Sequence, residues 1–448
     1  MNATGIGYAG IDGVWWRPGV TPFTLGGDVG DELHRFGTAV FALFDVLAGL
    51  RETDEEVRRL LDYAIPPHFT AAPAGGLPTR PTSPVLMVRP DFQLVPASGS
   101  YQLVATELEI CPAAQGFAHA MQVGYGLASD LAGRLADFLA GRPLLIVGTA
   151  QWSEFLFEQL ALCRALAERG ATAHVLYDQP IAALAAEVAV GARWVPPLFG
   201  VPARPAGWDT DVITRLRRHA LEPYLWPGDW PETVGNAVVF RFGYLDCFAP
   251  EVIDSFATWQ MAGATFLNPP IAYLESKSVL AAVHLPAVRA RLTTINPDFP
   301  VILGRCLPET HLLTPEAIPM LLAEQETWLI KYAGFDGDNM AWGGRSLQCG
   351  QDHSPPTWEK IVHTAAELPW PVVAQHLAPS AQLDVTYYDE SGEERFLQGA
   401  TTRLRSFLMR DANGRVDALG THLTAAAGGM AVAESVAAVQ TPIRFERS

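Results

Sequence analysis

Two mostly apolar runs, residues 85–94 and 101–110, are both rich in β-branched, aromatic and aliphatic side chains with a few charged and polar positions among them. Between them PASGS at 96–100 supplies turn-forming residues. The pattern predicts a β-hairpin. Asp91 sits on its first strand two positions after Arg89, and Glu107 and Glu109 sit two apart on its second. Side chains alternate across a strand, so Glu107 and Glu109 share a face and the pairing can bring Asp91 beside them. One reading is a solvated strand edge with ordinary salt bridges. The other is a magnesium site, because Mg²⁺ takes hard oxygen ligands and is usually held by one or two carboxylates plus substrate phosphates. Arg89 would then suit an anionic transition state.

Upstream, 31–49 and 52–64 carry apolar residues at helical spacing behind acidic openings, and a Pro- and Gly-rich loop at 71–84 leads into the hairpin. Downstream, 116–141 reads as a helix or helix pair. An apolar strand at 144–148, an amphipathic helix at 153–170 and a second strand at 173–178 make a βαβ unit. The turn after its first strand has only Gly148 where the dinucleotide fingerprint needs three glycines, so a nicotinamide cofactor is not expected. The strand at 238–243 carries a lone Arg241, which reads as a salt-bridge partner or as an anion contact.

A helix at 248–263 and a strand at 266–270, ending in prolines, lead to a helix at 273–283 that contains Lys277. The strand at 326–331 ends in Lys331, and the loop at 332–345 holds Gly334, Gly337, Gly343 and Gly344. Such a loop can fold over a polyphosphate with its amides pointing inward. A strand at 370–376 is followed by three more at 382–388, 398–409 and 415–422 that read as an antiparallel sheet. The expected units are 1–84, a helical segment; 85–142, hairpin and helix; 143–265, the βαβ domain; and 266–448, the remainder.

The chain has 448 residues and a formal net charge of −17, which argues against nucleic acid or an anionic membrane as main partner. Its five cysteines are widely spaced with no CxxC, which fits reduced thiols. The first residues lack the basic and apolar regions of a signal peptide, and charges or prolines interrupt the long apolar runs. A soluble cytoplasmic protein is expected.

The succession is Arg89-x-Asp91, Glu107-x-Glu109 with Pro112 following, the βαβ unit, and Asn268 before two prolines. Then come Ser276-Lys277, Lys331 before the glycine-rich loop, and Val372-Val373-x-Gln375. Over residues 85–443 this order resembles the synthetase domain of glutathionylspermidine synthases and, more broadly, the circularly permuted ATP-grasp ligases. The resemblance implies an α/β (α+β) fold of ATP-grasp-like antiparallel sheets with helices, circularly permuted, with an inserted βαβ domain. It implies ATP and Mg²⁺, with Asp91, Glu107 and Glu109 on the metal and Arg89 neutralising the phosphoryl group in transfer. Lys277 and Lys331 would touch the nucleotide, and Gly334, Gly337, Gly343 and Gly344 would cover its phosphates. Gln375, His376 and Leu377 would bind the adenine edge.

Arg403 and Arg405, two apart on one strand, are further candidates for phosphate or carboxylate contact; their plain alternative is a solvated basic strand face. The implied reaction joins a small-molecule carboxylate to an amine through an acyl phosphate, releasing ADP and phosphate, and a homodimer is compatible with it. A small-molecule kinase or a silent nucleotide-binding subunit are the alternatives. Two departures stand out: Glu109 replaces the asparagine most common in the family, and nothing matches the cysteine amidase domain of its bifunctional members.

Overall fold

The computed structural model describes residues 17–70, 80–81, 83–179, 216–337, 341, 346–389, 391–428 and 438–446. Its largest sheet has eight strands. The hairpin forms as expected, from β3 (Met87–Ala97) and β4 (Ser100–Glu109), and Gly99 allows the tight turn with φ +84°. β3 also pairs antiparallel with β14 (Glu394–Arg410), which continues to β15 (Val416–Ala426) and β16 (Val439–Phe445). β13 (Gln382–Tyr388) pairs with the first part of β14, and two short strands, β1 (Arg17–Pro18) and β2 (Phe23–Leu25), run parallel to β16. One wall is thus built from both ends of the chain.

Within the hairpin the register shifts between Asp91 and Phe92, so Thr106 is bulged and Arg89 faces Glu109 while Asp91 faces Glu107. Asn268 straps the hairpin's base: its Oδ1 accepts from the Leu86 and Met87 amides at 2.8 and 3.0 Å, and its Nδ2 donates to the Met87 and Ile110 carbonyls. These bonds are buried and so replace a strand pairing that the hairpin ends lack.

A second sheet is parallel, in the order β6 (Ala173–Tyr177), β5 (Leu144–Gly148), β7 (Val238–Phe242), β8 (Thr265–Phe266), with the helix Leu156–Ala167 crossing between β5 and β6. All of β5 and β7 is buried, as a sheet covered on both faces requires. The third sheet is antiparallel, in the order β11 (Gln348–Cys349), β10 (Trp328–Tyr332), β12 (Val372–His376), β9 (Thr310–Leu312).

Several expectations change. The N-terminal helix is longer, Gly27–Thr53, and the break falls where Asp54 accepts from the Val57 amide at 3.0 Å and caps the helix Glu55–Leu61. The helix Gly27–Thr53 is long and apolar enough to cross a membrane by length and composition, yet 56% of that window is buried in the fold. Its Phe36 meets Phe92 of β3 edge-on at 5.1 Å. The expected strand at 266–270 shrinks to Thr265–Phe266, since the two prolines that follow Asn268 cannot join a ladder. The helix expected at 273–283 is two pieces, Ala272–Glu275 and Ser278–Ala282, because Ser276 turns extended at ψ 137°. That break carries Lys277 into the cleft.

Candidate active site

Asp91 is the hub of the charged wall. Its Oδ1 accepts from Arg89 Nε at 3.3 Å and Arg405 Nε at 3.1 Å; its Oδ2 accepts from Arg405 Nε and Nη2 at 3.1 and 3.0 Å and from Arg403 Nη1 at 3.4 Å. Arg405 stands directly opposite Asp91 in the β3–β14 register, although 314 residues separate them in the chain. Burial by itself would raise the Asp91 carboxyl; Arg405, then Arg89 and Arg403, overcome it and hold it well below the usual carboxylate range. Behind the hub, Arg405 Nη1 donates to Thr424 Oγ1 at 3.0 Å, and Thr424 donates to Gln440 at 2.9 Å.

The two glutamates divide between different cations. Arg89 Nη2 meets Glu109 Oε2 at 2.5 Å and Arg89 Nη1 donates to the Ala113 carbonyl at 2.8 Å. Glu109 is still pushed up to about 7, by burial and by the nearby Glu107 and Asp91, because Arg89 is shared with Asp91. Glu107 Oε1 pairs with Lys277 Nζ at 2.8 Å. Burial raises the Glu107 carboxyl, but Lys277 and Lys331 bring it below its ordinary value.

Lys331, on β10, reaches across to the hairpin, donating to the Thr106 carbonyl at 2.6 Å and to Gln375 Oε1 at 3.0 Å. The Thr106 bulge therefore turns an unpaired carbonyl into an anchor for the opposite sheet. Burial lowers the Lys331 ammonium to about 7, against the pull of Glu107 and with the push of Lys277 and Arg403. Whether Lys331 and Glu109 are both charged or both neutral, the cations around the hairpin outnumber its carboxylates by two.

Gln375 is fully buried and serves Lys331, while its Nε2 donates to Thr310 Oγ1 at 3.2 Å. The expected adenine edge is only partly supplied here. The His376 amide already donates to the Glu309 carbonyl and the Leu377 amide to the Thr327 carbonyl, both at 2.8 Å. These donors belong to the third sheet's own pairing, and Gln375 has no polar atom left over.

The glycine loop begins close to the site. The Lys277 amide donates to the Ala333 carbonyl, and its ammonium donates to the Ala341 carbonyl. Gly334 and Gly337 adopt φ of +126° and +74°, a region open chiefly to glycine. Gly343 and Gly344 lie outside the described residues. A recess beside Lys277 is lined by Tyr244, Asp246, Glu275, Gly334, Phe335 and Asp336. There Asp246 is pushed up to about 6 by burial and by Asp336.

Arg241 turns out to be a salt-bridge partner. It pairs with Glu275 with both side chains 1% exposed, and Glu275 also accepts from the Leu245 amide at 2.8 Å. Glu275 was missed as a site neighbour; the signal was a glutamate inside an otherwise apolar helical run, which calls for a buried partner such as the lone Arg241.

The three carboxylates expected to hold magnesium are not arranged as a cage. Each faces a cation instead of a shared point, and among the described residues no three His, Cys, Asp or Glu side chains are grouped so as to hold a metal ion. The donor chemistry suits Mg²⁺, but the arrangement does not.

No family model matches the chain, and no curated protein matches its sequence. Among solved structures, a glutathione synthetase-like effector from Globodera pallida, in apo form, aligns with a TM-score of 0.52 at 10% identity, over 96% of this chain and 90% of that one. A protein named gamma-glutamylcysteine synthetase from Methylobacillus flagellatus aligns at a TM-score of 0.39 and 10% identity, over 87% and 84% of the two chains, which is too low to weigh. The chain therefore shares its mixed α/β fold with that effector.

Proposed function

We propose that the protein is an ATP-dependent carboxylate–amine ligase of the circularly permuted ATP-grasp kind, forming an amide through an acyl phosphate. The observation that carries this reading is the convergence of Arg89, Arg403, Arg405, Lys277 and Lys331 on the cleft between the hairpin wall and the third sheet. Excess positive charge in a largely buried cleft is what a polyphosphate and an acyl phosphate require. The permuted arrangement is supported by the hairpin, early in the chain, lying beside β14, late in it.

In this reading Lys331 and Lys277 hold the phosphates of ATP as point charges. The arginines meet the substrate carboxylate and the phosphoryl group passing to it, neutralising charge as it develops. The recess lined by Asp246 and Asp336, next to Lys277, has the charge to receive an ammonium-bearing acceptor. This feature favours the ligase over a kinase. Magnesium would arrive on the ATP phosphates, since the described residues form no cage ready for it.

Screening carboxylic acids with amines for ADP and phosphate release tests the proposal. Release that needs both partners supports ligation; release needing only an acceptor for phosphate means a kinase, and AMP as product ends the reading.

A further inference from the structure

We infer that Asp91 is a positioning residue for a guanidinium oxyanion site and not a metal ligand. An ionised carboxylate offers about four lone-pair positions. The Asp91 oxygens already receive five donor contacts from three guanidiniums, at 3.0 to 3.4 Å. A divalent cation at Asp91 would have to strip these bonds and would sit against three fixed positive charges.

Arg89 and Arg405 keep donors in reserve. Arg89 spends Nε on Asp91, Nη1 on Ala113 and Nη2 on Glu109, and Arg405 spends Nε and Nη2 on Asp91 and Nη1 on Thr424. A guanidinium has five N–H groups, so each retains two for a ligand. Asp91 therefore fixes the planes of the guanidiniums and compensates part of their mutual repulsion while leaving the fan cationic. Preorganised donors of this kind bind a carboxylate or phosphoryl oxyanion with little reorganisation.

The assignment shares its residues with the proposed ligase, but its test reads anion and metal binding, so either reading can fail alone. The full chain, freed of metal with EDTA, is titrated with inorganic phosphate by calorimetry, and separately with Mn²⁺ by electron paramagnetic resonance. The expected result is phosphate binding without metal, weakened about tenfold or more in Asp91→Asn and largely restored in Asp91→Glu, with the same weak Mn²⁺ binding in all three. Competition by acetate marks the site as taking a carboxylate; resistance to acetate marks it as taking a phosphoryl group. If Asp91→Asn does not fold, Arg403→Gln, at the rim with its side chain 13% exposed, is expected to weaken phosphate in the same direction. A tight Mn²⁺ site that Asp91→Asn abolishes, or phosphate binding that requires metal, overturns the inference.

Discussion

Two buried charge clusters lie close together and are built on opposite principles. Arg241 and Glu275 form a closed pair, one cation to one carboxylate, with Arg241 also donating to the Gly243 carbonyl at 2.5 Å and Glu275 accepting from the Leu245 amide. Around Asp91 one carboxylate serves three arginines, and the surplus charge faces the cleft. A matched pair joins the end of β7 to the break before Lys277 and leaves no surplus charge for an anion. An over-cationic hub is unfavourable in the empty protein and becomes balanced only when an anion arrives, which is the signature of a binding site.

The sharpest way to break this contrast is at the closed pair. Arg241→Met leaves Glu275 buried without its partner and should cost about 3–5 kcal/mol of unfolding free energy, while Arg241→Met with Glu275→Met should recover most of it. Phosphate affinity should be unchanged in the double variant. Denaturant melts with calorimetry decide the matter, and an affinity loss in the double variant would place Arg241 in the anion site after all.

At the hub the order reverses. Arg405→Met keeps Asp91 paired with Arg89 and Arg403, so its cost should fall on turnover, by about 10²–10³-fold, if the arginine meets charge that develops in the transition state. ADP release at saturating ATP measures this. A smaller effect is expected from Lys331→Met: nucleotide affinity drops about tenfold with the fold retained, because a point charge touching ground-state phosphates contributes to binding more than to turnover. Equal losses in affinity and turnover for both variants would erase the distinction.

How much of this could be read in the sequence follows from the range of each interaction. Arg89 and Asp91 face Glu109 and Glu107 only through the Thr106 bulge, but the hairpin itself was legible because its β-rich runs and its PASGS turn are local. The βαβ unit was legible for the same reason. The partners of Asp91 were not, since Arg405 meets it only through a register between strands 314 residues apart. Nor was the Thr106 bulge, which realigns the hairpin by one residue and anchors Lys331. The break at Ser276 was not legible because apolar residues flank it on both sides, at 272–274 and 279–282, and the polar stretch 275–278 between them could equally lie on the exposed turn of one continuous helix. Finally, the sequence named Lys277, Lys331, Arg403 and Arg405 as candidates for a nucleotide, phosphate or carboxylate, but not as the partners that reach the hairpin's carboxylates from β14, β10 and the residue before Ser278.

The smallest effect separates the clusters by pH. Lys331 has its ammonium lowered to about 7 by burial, so it loses its proton as pH rises through that value, and Glu109, raised to about 7 chiefly by burial, loses its own in the same window. Both changes remove positive charge from the hub. A bound phosphate raises the Lys331 and Glu109 values, so binding takes up protons and affinity should fall as pH rises from 6 to 9, by at most about tenfold per pH unit for each group. For stability the two groups act oppositely. Lys331, with its folded value below the unfolded one, contributes stability that grows from about pH 7 toward its ordinary value, whereas the contribution of Glu109 is complete below its ordinary value and is lost as pH rises to about 7. Phosphate titrations across that range, corrected for the probe's own ionisation near neutral pH, should show a slope in the wild type, a shallower one in Lys331→Met or Glu109→Gln, and none beyond that correction in the double variant. The paired Arg241→Met and Glu275→Met substitutions should leave the slope as it is, although Glu275 also sits at about 7, because a closed pair does not share its charge with the ligand. A slope that survives loss of Lys331 and Glu109 but disappears with Glu275 would show that the sealed pair, and not the arginine hub, is the cluster that feels the anion.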